Sequence, residues 1–159
     1  MKRTLVITIL TMAVLGLRPA PARADFTAFY GVTPKPDARS ARGLAIGIGL
    51  LVVGFEFEYS NTTEDVVKAA PGLKTGMFNG LLQTPTSGLQ FYVTAGGGFY
   101  RETSGVLQET SYGTNFGGGI KARLAGPLRL RLDYRVFALR GTPVYSTSQR
   151  FYAGANIAF

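Results

Sequence analysis

Leu128-Arg129-Leu130-Arg131-Leu132-Asp133-Tyr134-Arg135-Val136 decides how this chain folds. Apolar residues hold every even position and charged residues every odd one. A helix would scatter that pattern around its axis, whereas a strand sends successive side chains to opposite faces. The segment therefore reads as a strand with one greasy face and one face carrying three arginines and an aspartate.

The same period of two recurs outward from it. Leu44, Ile46, Ile48 and Leu50 alternate with Ala45, Gly47 and Gly49, and Phe55, Phe57 and Tyr59 alternate with Glu56, Glu58 and Ser60. Leu89, Phe91, Val93, Ala95 and Phe99 alternate with Gln90, Tyr92, Thr94, Gly96 and Tyr100. The glycine-rich stretch from Gly43 to Phe55 resists a helical reading, because glycine is a poor helix former. Breakers at 34–42, 51–54, 61–73, 84–88, 103–109, 125–127 and 140–146 leave eight strands, at about 26–33, 43–50, 55–60, 74–83, 89–102, 110–124, 128–139 and 147–159. Their connections alternate long and short.

Composition narrows the chemistry. The 159 residues contain no Cys, His or Trp. Disulfides, zinc or haem ligation, thiol nucleophiles and histidine-based acid–base catalysis are thereby excluded. Charged residues make up 16% of the chain, against about 25% in ordinary soluble domains, so apolar side chains are left to face outward. The formal charge of +8 is unevenly placed. Lys2, Arg3, Arg18 and Arg23 all precede residue 25 with no acidic residue among them, which weakens a nucleic-acid reading.

Those first residues look like an export signal. Met1-Lys2-Arg3 is a basic start, Leu5 to Leu17 is mostly apolar, and Ala22-Arg23-Ala24 is an A-x-A cleavage site. The expected division is a signal peptide over 1–24 and a barrel over 25–159. The apolar run is shorter than the roughly 20 residues a spanning helix needs.

Eight alternating strands with connections of unequal length suit a transmembrane barrel, in which short turns lie on the periplasmic side and longer loops outside. Two all-β architectures share this strand count. A soluble lipocalin-like barrel in the periplasm turns its apolar face inward around a ligand, whereas a membrane barrel turns it outward. The charged face of this chain holds Glu56, Glu58, Lys121, Arg123, Arg129, Arg131, Asp133 and Arg135. Both signs occur together, as expected of a mutually neutralising lumen.

The C-terminus favours the membrane barrel. Phe151, Ala153, Ala155, Ile157 and Phe159 occupy alternate positions up to a terminal Phe. This resembles the assembly signal of bacterial outer membrane barrels, with Phe151, Ile157 and Phe159 as its bulky members. The chain thus resembles the eight-stranded antiparallel up-and-down outer membrane β-barrel families, similar to the transmembrane domain of outer membrane protein A and to outer membrane protein X. That resemblance implies residence in a Gram-negative outer membrane and contact with membrane lipid, lipopolysaccharide and the barrel assembly machinery. It implies no cofactor and a structural or surface-interaction role, with a side-chain-filled lumen; a narrow ion-conducting channel is the alternative within the same fold. Barrel enzymes such as lipid A deacylases and palmitoyl transferases share the architecture but use a His, which this chain lacks, so catalysis is not expected.

Other motifs are weaker. Gly47-Ile48-Gly49 begins like a dinucleotide fingerprint, but Val52 stands where the third Gly belongs. Glu56 and Glu58 share a face roughly 7 Å apart, a spacing that glycosidase carboxylates also use, although an ion-paired structural role is the simpler reading. Gly96 to Gly98 and Gly117 to Gly119 fall on neighbouring strands and are expected to lie side by side as a thin, kinked patch. Lys35, Arg39, Arg42, Lys68 and Lys74 lie in or beside the first two long loops, where they are either solvated charge or contacts for lipopolysaccharide phosphates.

Overall fold

The computed structural model describes residues 22–159. Eight strands form: β1 (Arg23–Thr33), β2 (Arg39–Leu50), β3 (Val53–Thr62), β4 (Gly72–Gln83), β5 (Leu89–Ser104), β6 (Leu107–Ala125), β7 (Leu128–Leu139) and β8 (Thr147–Ala158). Each pairs antiparallel with its sequence neighbours, and β1 pairs with β8 to close the ring. Closure leaves no free sheet edge, a requirement for strands that cross lipid. At the seam Ala24 N donates to Phe159 O at 3.0 Å and Phe159 N donates to Ala24 O at 2.9 Å. Strand β1 begins at Arg23, so the last two residues of the expected signal peptide stand in the wall; the rest of that segment, through Pro21, lies outside the described residues.

Two connections are shorter than the sequence pattern implies. Strand β2 starts at Arg39, inside the segment read as a loop. The stretch 103–109 is mostly strand, turning only at Gly105-Val106, where Gly105 has φ +60°. Above the bilayer neither strand face has to be apolar, so the ladder continues through Thr103, Ser104, Gln108 and Glu109 after the alternation has faded.

The apolar face points outward. Leu44, Ile46, Ile48, Phe57, Phe91, Val93, Phe116, Leu130, Leu132 and Ile157 are all exposed, from 39% at Leu130 to 63% at Phe116. A belt of that extent is incompatible with water as the surrounding solvent. It rules out the lipocalin-like arrangement, in which these side chains would turn inward. No described helix is long and apolar enough to cross a membrane; the crossing is made by strands.

Inside, the buried side chains form two layers. Leu73, Met77, Tyr100, Phe137 and Leu139 pack together toward the outer ends of β4, β5 and β7, and the Tyr100 hydroxyl donates to Arg140 O at 2.5 Å. The second layer is ionic.

Candidate functional site: the ionic layer of the lumen

Strands β3 and β7 stand opposite each other in the eight-membered ring. Alternation sends Glu56 and Glu58 inward from β3, and Arg131, Asp133 and Arg135 inward from β7; all five are buried. An Arg side chain is long enough to meet a carboxylate across so narrow a barrel. Arg131 pairs with Glu56 through both terminal nitrogens, the longer contact being 3.2 Å from Nη2 to Oε1. Arg135 Nη2 donates to the same Oε1 at 2.7 Å, its Nη1 lies 3.1 Å from Glu58 Oε2, and its Nε donates to Asp133 Oδ1 at 3.0 Å.

A sixth charged group completes the layer. Arg150 of β8 pairs with Glu58 and donates to Ser60 Oγ at 2.5 Å. Three carboxylates (Glu56, Glu58, Asp133) thus face three guanidinium groups (Arg131, Arg135, Arg150), and the layer is neutral. Buried charges persist only when paired and hydrogen-bonded in this way. Tyr92 of β5 links the partners: its hydroxyl donates to Asp133 and accepts from Arg131 Nε at 2.8 Å. Its ring centroid lies 4.9 Å from the Arg131 guanidinium carbon, within cation–π range.

Glycines on β6 make room for this layer. A Cβ on Gly117 would stand 2.9 Å from Arg135 Cγ, and one on Gly119 would stand 2.6 Å from the Tyr92 hydroxyl oxygen. The expected glycine patch does not form. Gly97 pairs with Thr114 and Gly118 with Val93, so the two triplets are offset along their strands. Strand order makes β5 and β6 neighbours, but the register between them is set by the hairpin turn at Gly105.

The remaining candidates lie nearer the periplasmic mouth. Lys121 is buried and pairs with Asp25 at 2.5 Å. Arg129 is half-buried and lines, with Asp25, Gln83, Gln90 and Lys121, a cavity of about 180 Å³ that reaches Glu56. Arg123 pairs in register with Arg129 and so shares its face, but it is exposed at the rim and donates to Gly126 O at 3.0 Å instead of joining the ionic layer. It stands beside the irregularity in β6 between Arg123 and Ala125, where the strict alternation ends. At the other end Arg39, read as loop charge, is a buried inward residue of β2 whose Nη2 donates to Lys35 O at 3.1 Å.

Arg150, Asp25 and Tyr92 join the lumen network without having been singled out. The signal was present for Arg150: Ser148, Arg150 and Tyr152 alternate with Phe151 and Ala153. Phe151, Ile157 and Phe159 are exposed on the outer wall, and Phe151 lies 4.4 Å, ring to ring, from Tyr134.

The arrangement is that of an eight-stranded outer membrane β-barrel, and comparison with solved structures places it in that fold. The chain is similar to neisserial surface protein A (NspA), at 14% identity over 90% of this chain and 100% of the other, with a TM-score of 0.70. It is also similar to the N-terminal β-barrel domain of Pseudomonas aeruginosa OprF, at 17% identity over 86% and 97% of the two chains, TM-score 0.63. The outer membrane enzyme PagL shares the architecture at 11% identity over 84% and 98%, TM-score 0.55. No family model and no curated protein matches the sequence.

Proposed function

We propose that this chain is a small, non-catalytic integral protein of the bacterial outer membrane, with a structural or surface-interaction role and a lumen closed by its own side chains. The neutral layer of Glu56, Glu58, Asp133, Arg131, Arg135 and Arg150 carries the reading. Every carboxylate in it already accepts from a guanidinium, leaving no free base in the layer. An eight-stranded ring has an interior just wide enough for side chains to fill.

PagL shows that the fold also hosts an enzyme. Against catalysis here stands the absence of His and Cys from all 159 residues. Lipopolysaccharide and membrane phospholipid would contact the wall, and Phe151, Ile157 and Phe159 would be read by the assembly machinery. Nucleic acid is not among the partners in this reading, because Arg39, Arg131, Arg135 and Arg150 are buried inside the barrel.

Planar-bilayer recording of the purified protein tests the closed lumen, with no sustained conductance expected; steady channels would favour the ion-conducting alternative. Mass spectrometry of lipid A incubated with the protein tests the absence of catalysis, since a loss or gain of acyl mass would establish an enzyme.

A further inference from the structure

The outer wall carries a row of cations that the lumen does not use. Arg42 pairs in register with Asn61, Asn61 with Lys74, Lys74 with Arg101, and Arg101 with Thr110, so one continuous row crosses β2 to β6. Arg42, Lys74 and Arg101 are exposed, and the row contains no carboxylate. None of the three makes an ion pair among the described residues. Lys74 and Arg101 are directly opposed, and like charges in that relation destabilise a sheet. An anion lying between them would remove the repulsion.

The next outward row, one step toward the periplasm, is Leu44, Tyr59, Gly76, Phe99 and Tyr112. Its four side chains are exposed, and aromatic residues of this kind girdle a membrane barrel where hydrocarbon meets headgroups. The cations therefore sit at headgroup level on the outer side. A Cβ on Gly76 would approach only Phe57 Cζ, at 3.9 Å, so the wall is recessed directly below Lys74 and Arg101.

We propose that Arg42, Lys74 and Arg101 form a binding site for a phosphorylated lipid of the outer leaflet, the lipid A portion of lipopolysaccharide, with phosphate on the cations and an acyl chain in the recess at Gly76. Charge complementarity and position select this occupant. A soluble anion would have no use for the apolar row beneath, and a zwitterionic lipid would leave the opposed pair uncompensated. The site deepens the outer membrane reading and rests on it. Of the loop cations marked in the sequence the site takes Arg42 and Lys74 and adds Arg101, whereas Arg39 is buried and Lys68 lies 3.7 Å from Asp37.

The test uses the whole barrel in phosphatidylcholine nanodiscs containing lipid A, with native mass spectrometry reading the lipid retained after detergent release. Wild type is expected to keep lipid A, and Arg42→Gln/Lys74→Gln/Arg101→Gln to keep at least about tenfold less, because charge-assisted contacts to phosphate are lost. Dephosphorylated lipid A should be retained no better by wild type than by the variant. Equal retention by the two proteins, or undiminished retention of the dephosphorylated lipid, overturns the site while leaving the membrane barrel intact. Failure of wild type to insert into phosphatidylcholine alone would instead overturn the outer membrane reading, and the site with it. Because the three substituted side chains point away from the lumen and the cross-strand hydrogen bond among them, from Arg101 Nε to Thr110 Oγ1 at 3.3 Å, is exposed, heat-modifiable gel migration should match wild type, and its loss would refute the assignment of these cations to lipid binding over barrel stability.

Discussion

Glu56 Oε1 accepts a hydrogen bond from Arg135 Nη2 at 2.7 Å although the two residues are 79 positions apart and stand on opposite sides of the ring. Each emerges from a strand whose outward neighbours are bathed in lipid. The contact spans the interior, so the barrel is braced across its diameter as well as around its circumference.

Removing the carboxylates should undo that brace. Glu56→Ala/Glu58→Ala leaves Arg131, Arg135 and Arg150 with Asp133 as the one remaining anion of the layer. Breaking a buried pair typically costs about 3–5 kcal/mol. The unfolding midpoint in urea and detergent should fall accordingly; an unchanged midpoint would show that water already relieves these cations.

Val93 and Thr94 are adjacent and face opposite solvents, being 49% and 1% exposed. Val93→Arg should cost about 2–4 kcal/mol if the residue lies near the midplane of the bilayer. Its folded yield in lipid vesicles should drop, with recovery in detergent micelles, where the arginine can reach water. Thr94→Arg should be impaired equally in both media, because its cost comes from lumen packing.

The glycines of β6 offer a steric test. Gly117→Ala and Gly119→Ala place a methyl group against the Tyr134 and Leu132 carbonyl oxygens of β7 as well as against Arg135 and Tyr92, and overpacking of this kind costs about 1–3 kcal/mol. Gly97→Ala meets nothing closer than Gly113 O at 3.4 Å and should unfold within error of wild type. If all three variants behave alike, the close approach of β6 to β7 and the side chains beside it is wrong.

Tyr92→Phe removes the hydroxyl that joins Asp133 to Arg131. Leaving buried partners short of a hydrogen bond costs about 1–3 kcal/mol. Thermal or urea unfolding should register the loss without a change in barrel topology by circular dichroism.

Phe159 is exposed on the wall, and its contacts at the seam are made by its backbone. Phe159→Ala should therefore refold in detergent like wild type but reach the outer membrane of cells at reduced level. Equal levels in cells would remove Phe159 from the assembly signal.

The strands from Leu44, Phe55, Leu89 and Leu128 onward were legible in the sequence because alternation is local: a residue's face depends only on whether its position is odd or even. The same rule identified Glu56, Glu58, Arg131, Asp133 and Arg135 as inward, since lipid tolerates their apolar neighbours and not them. It faded where strands rise above the bilayer, at Thr103 to Glu109, and beside the turn at Arg123. Which inward residues touch was decided only by closure of the ring and the register of each strand pair. Those two features bring Arg150 to Glu58 across 92 positions and Asp25 to Lys121 across 96, and they offset the two glycine triplets. The period of the sequence specifies which face a side chain joins, whereas its depth and its partner depend on how the strands are staggered around the barrel, which no single strand encodes.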